Sequence, residues 1–95
     1  MELTVTETAQ AWFEKELELS KGDSLRIFGK YGGATNVHVG MSTGIEITEP
    51  NKPMIEKELN GITYFIEQTD EWFFGNYHLV VDIDDKLKEP TYTYQ

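Results

Sequence analysis

Apolar residues recur at two different spacings along this chain, and the change from one to the other marks its first boundary. Val5, Ala9, Trp12, Phe13 and Leu17 stand three or four apart, which lines them along one stripe of an amphipathic helix over residues 5–19. Thr6 is its predicted N-cap, Glu7 sits in the first turn where a negative charge suits the helix dipole, and Gly22 is its predicted stop. From Ser24 the period shortens to two. Leu25, Ile27 and Gly29 alternate with Arg26, Phe28 and Lys30, so apolar groups fall on both faces, as in a central strand; Gly32-Gly33 breaks it. Val37, Val39 and Met41 then alternate with His38, Gly40 and Ser42. Ile45 and Ile47 continue past Gly44, either as a further strand or as the same one after a bulge.

Asn60-Gly61, between the runs 55–59 and 62–67, predicts a β-hairpin closed by a type I′ turn, whose twist matches that of its strands. Residues 69–74 read as a short helix or turn capped by Thr69 or Asp70, with Trp72 and Phe73 tucked into the core. In the strand over 77–84, Leu79, Val81 and Ile83 point inward while His78, Asp82 and Asp84 point outward. The tail from Thr91 to Tyr94 is predicted to add an edge strand, and its β-propensity suits pairing across chains in a homodimer. Together these elements predict one α+β domain over residues 1–95, predominantly antiparallel, with the helix packed across the sheet.

Composition narrows the partners. The 17 acidic residues against 8 basic ones give a net charge of −9, a balance that repels nucleic-acid backbones and anionic membrane surfaces. The aromatic fraction of 13% supplies enough large rings for a packed interior. The absence of cysteine excludes disulfides, thiolate metal sites and cysteine nucleophiles. Residues 1–4 lack the basic and apolar regions of a signal peptide, so a cytoplasmic protein is expected.

Several fragments carry a resemblance in their order and spacing: Val5-Thr6-Glu7-Thr8-Ala9, Leu25-Arg26-Ile27, Gly32-Gly33, Gly61-Ile62 and Leu79-Val80-Val81-Asp82-Ile83. Over residues 3–88 the chain resembles the HesB/IscA family of A-type iron–sulfur assembly proteins. Trp72-Phe73-Phe74 and Lys88-Glu89-Pro90-Thr91-Tyr92 are most similar to its short YneR-type branch. The resemblance implies a HesB-like fold. In that family the residue after the paired glycines is a cluster-ligating cysteine; here it is Ala34, which has no lone pair to give a metal. The family's Cys-Gly-Cys tail is likewise absent, since this region reads Thr93-Tyr94-Gln95.

What remains for a metal is imidazole and carboxylate. Clusters are held mostly by thiolates, so His38 and His78 are candidate ligands for at most a mononuclear ion; two ordinary surface or half-buried histidines are the other reading. Arg26 is expected to pair with a buried acid such as Asp82, with anion binding as its alternative. Gly32-Gly33 lacks the spacing of a phosphate loop, and no serine has the context of a nucleophile elbow. No cofactor and no catalytic residue are implied. From the resemblance, the expected function is that of a non-enzymatic accessory to iron–sulfur cluster biogenesis or iron handling, acting through a protein partner. The alternative is a small-ligand or peptide-binding module with Tyr31, Tyr64 and Tyr77 lining its pocket.

Overall fold

A strand that the helical stripe conceals opens the chain. In the structure, a computed structural model describing every residue from Met1 to Gln95, β1 (Glu2–Val5) precedes α1 (Glu7–Glu16). Leu3 and Val5 alternate inward from β1, so Val5 belongs to a strand face and not to the helix. Thr6 caps α1 as expected: its hydroxyl accepts from the Ala9 amide at 3.1 Å. The helix closes earlier than the sequence suggests. Leu17 is the C-cap and Glu18, not Gly22, takes the left-handed conformation after it. Gly22 lies in the turn that follows, where its amide donates to the Gly61 carbonyl at 2.9 Å.

The remaining strands are β2 (Ser24–Ala34), β3 (Val39–Ile47), β4 (Pro53–Leu59), β5 (Ile62–Glu67), β6 (His78–Asp84) and β7 (Glu89–Tyr94). Gly32-Gly33 does not end β2. The strand passes through both glycines at positive φ, with a register shift between Tyr31 and Ala34 against β3. Gly44 likewise leaves β3 as one strand, for it lies opposite Phe28, whose ring occupies the space a side chain would fill. The β4–β5 hairpin is the predicted one, with Asn60 and Gly61 both at positive φ.

Two mixed sheets result. One has the order β1-β6-β7 and the other β3-β2-β5-β4. The expectation of antiparallel sheets is corrected at two places: β1 runs parallel to β6, and β2 runs parallel to β5. Parallel pairing joins segments far apart in sequence, so no local turn signal announces it. The protein is thus α+β and mostly strand. Both sheets and α1 share one core, in which Phe13 of α1 meets Tyr64 of β5 and to which β6 adds Leu79 and Val81.

A 3₁₀ turn (Gln68–Asp70) and α2 (Glu71–Phe74) follow β5. Neither Thr69 nor Asp70 caps them through its side chain. Asp70 instead bonds Arg26 at 2.7 Å, while Glu46, Arg26's cross-strand neighbour, takes its other terminal nitrogen at 2.9 Å. These acids, and not Asp82, pair Arg26; Asp82 accepts from the Thr6 hydroxyl. Phe73 and Phe74 are buried, but Trp72, expected in the core, is 63% exposed.

Candidate functional site

The β2–β3 connection, residues 35–38, is tied down at almost every polar group. The Thr35 hydroxyl accepts from the amides of Val37 and His38, and the Thr35 amide donates to the His38 carbonyl. Asn36 reaches the far sheet, where its amide nitrogen donates to the Tyr94 carbonyl at 2.7 Å and its oxygen accepts from the Tyr94 amide at 2.9 Å. His38 stacks on Phe73 with ring centroids 4.1 Å apart, and its Nε2 lies 2.8 Å from the Phe73 carbonyl. A carbonyl only accepts, so Nε2 carries the proton; in the neutral ring Nδ1 then accepts from the Thr35 hydroxyl at 2.6 Å. The buried Tyr94–Thr43 hydroxyl pair, 2.7 Å apart, joins β7 to β3 beneath this loop.

This geometry decides where the sequence-derived candidates stand. Both nitrogens of His38 are engaged in holding the loop. His78 opens β6 in the other sheet, where Nε2 meets the Thr4 hydroxyl at 2.7 Å and Nδ1 lies 3.7 Å from a Glu2 carboxylate oxygen. The two histidines do not come together with a carboxylate: nowhere do three His, Asp or Glu side chains converge as a metal would require. Ala34 lies exposed at the end of β2, opposite Val39. The aromatic pocket does not form either. Tyr64 is wholly buried and Tyr31 is 89% exposed. The two surface hollows lie elsewhere, a wide one of about 670 Å³ beside Leu19, Lys21 and Asn60 and one of about 280 Å³ beside Thr4, Ile55 and His78.

What the structure does assemble is an exposed apolar end. Val39 is 96% exposed, and with Val37 it flanks the pinned His38. Trp72 meets Phe73 edge-on at 5.9 Å, and Tyr77 meets His38 edge-on at 6.3 Å. Sequence reasoning missed this surface, although one signal marks it: no Asp, Glu, Lys or Arg occurs from Tyr31 to Ile45 or from Trp72 to Val81. With charged residues making up 26% of the chain, two such runs meeting at one end set that end apart.

Comparison with known proteins adds the family. No family model matches the chain. A protein of Bacillus subtilis named pyruvate dehydrogenase inhibitor is 40% identical to it over 95 residues, covering all of both chains. The chain belongs to the family of that inhibitor. Uncharacterized proteins of Staphylococcus saprophyticus and Staphylococcus aureus are also similar to it, the first 32% identical over 97% of each chain and the second 28% identical over 98% of each.

Membership of the inhibitor family corrects the expected function. The role in iron–sulfur cluster biogenesis or iron handling does not stand, because a relative matching this chain from end to end is named for inhibition of pyruvate dehydrogenase. A small-ligand module gains no support either, given where its three tyrosines lie. No helix is long and apolar enough to cross a membrane.

Proposed function

We propose that this protein binds a pyruvate dehydrogenase complex and inhibits it. The observation that carries the proposal is the 40% identity with the Bacillus subtilis inhibitor along the whole of both chains. In this reading the chain does no chemistry of its own, and its partner is a cytoplasmic enzyme complex. A rigid domain with a pinned loop and exposed aromatic side chains suits a role in protein recognition. The HesB-like scaffold belongs to the same proposal, supported by α1 packed against the sheets and by the glycine pair before Ala34. Its functional consequence is then a protein surface and not a cluster site, since a shared fold leaves function free to change.

The test is direct. Pyruvate oxidation by the purified complex of the same organism is followed as the purified protein is added. Activity is expected to fall to a plateau set by the ratio of protein to complex. Unchanged activity at a large excess of the protein, with no co-elution of the two, overturns the proposal.

A further inference from the structure

We propose that the uncharged end of the molecule, formed by Tyr31, Val37, Val39, Trp72 and Tyr77, is the surface that docks on the pyruvate dehydrogenase complex, entering a cleft with an apolar floor and a Lys/Arg rim. The inference rests on the function proposed above and assigns that function to one place in the fold.

Three observations converge on it. The surface is apolar and open: Val39 is 96%, Tyr31 89% and Trp72 63% exposed. Apolar and aromatic side chains set within uncharged stretches of the chain are the composition of an interface core, where charged residues are depleted and aromatic ones enriched. It is also rigid. The Asn36 side chain is bonded to both backbone groups of Tyr94, and His38 is stacked on and bonded to the α2 segment, so the loop bearing Val37 is already ordered. Little conformational entropy then remains to be lost on binding.

The third observation is charge, which selects the occupant. The acidic excess of the whole chain, −9, is carried entirely outside the two neutral runs. A second copy brings the same acidic surroundings to the contact and is repelled. A cleft lined by apolar groups and bordered by Lys or Arg complements both the neutral tip and the acidic body behind it.

The experiment titrates the purified complex with wild-type protein and with Val39→Glu, Trp72→Ala and Leu87→Glu. Val39 and Trp72 are exposed enough for their replacement to leave the core intact, which circular dichroism checks. Leu87, 68% exposed, lies in the turn that precedes β7, at the opposite end of that strand from Tyr94, and serves as the apolar control. Inhibition by Val39→Glu and by Trp72→Ala is expected to weaken by roughly tenfold or more, the loss of one central interface anchor, while Leu87→Glu inhibits like the wild type. Added salt weakens the wild-type interaction through the rim. If the wild type inhibits and both tip variants inhibit equally well, the docking surface is wrong and the function stands. If the wild type does not inhibit, the function fails and the surface assignment fails with it. A wild-type dimer dissolved by Val39→Glu in sedimentation assigns the tip to a second copy and overturns the proposal.

Discussion

Gly29 and Phe73 are as important to the uncharged end as the side chains it displays. Gly29 lies on the β2 face that carries Leu25 and Ile27, and a Cβ there would sit well inside the van der Waals radius of the Phe73 ring. Phe73 cannot yield, because it is 1% exposed and stacked between its neighbours and His38. Gly29→Ala is therefore expected to destabilise the protein by about 1–3 kcal/mol, the usual cost of overpacking. In urea this appears as a lower midpoint with little change of slope; an unaltered midpoint contradicts the packing described. The same residue shows where sequence reasoning stops. Its place in the β2 alternation was legible, since a period of two needs only neighbouring residues. That its missing side chain makes room for an α2 ring was not, for the two meet only in the folded chain. Trp72 failed for a related reason: a large ring predicts burial on average, yet its neighbours Phe73 and Phe74 already fill the core at that point.

Among the elements, β7 is the one whose behaviour departs most from expectation. It is an edge strand, as its composition predicts, but its free side is blocked towards both ends. Gln95 exchanges both backbone bonds with His78 of β6, so the alternate residues Tyr94, Tyr92 and Pro90 present their backbone groups to the open side. There, both groups of Tyr94 are taken by Asn36, and Pro90 has no N–H to give. Just before the strand, the Lys88 carbonyl accepts from the Trp12 indole at 2.9 Å. This protection argues against the cross-chain pairing through Thr91–Tyr94 that the sequence suggested. Asn36→Ala uncovers the edge and frees the loop at one stroke. It is expected to cost about 1–2 kcal/mol and to raise self-association with concentration. Sedimentation velocity of the variant beside the wild type measures the second effect, and a variant as monodisperse as the wild type removes the protective role assigned to Asn36. Local signals located the strand and the Asn60-Gly61 turn; what guards the edge lies 58 residues away along the chain, and no local pattern holds it.

For the molecule as a whole, the shared core sets an upper limit on the pH it tolerates. Three phenols are pushed up to about 12 from their ordinary value near 10. Burial is the main cause in each; Glu14 adds to it at Tyr64, and Tyr92 adds to it at Tyr94, where the Thr43 bond works the other way. Between pH 10 and 12 the folded protein holds protons on these rings that the unfolded chain has released. Stability is therefore unaffected by them below pH 10 and is lost as pH rises through the window. Each of the three rings that ionises more readily in the unfolded chain withdraws part of the small stability margin of a protein this size. Alkaline unfolding followed by circular dichroism is thus expected to coincide with the share of the tyrosinate absorbance that these three rings contribute. Tyr64 separates this account from a general effect of accumulating negative charge. Its hydroxyl is buried without a hydrogen-bond partner, so Tyr64→Phe removes an unsatisfied polar group and fills nearly the same volume. The variant is expected to be at least as stable as the wild type at neutral pH, and to unfold at higher pH. If its alkaline midpoint does not move, the unfolding is driven by the net charge of the chain and not by the phenols in its core.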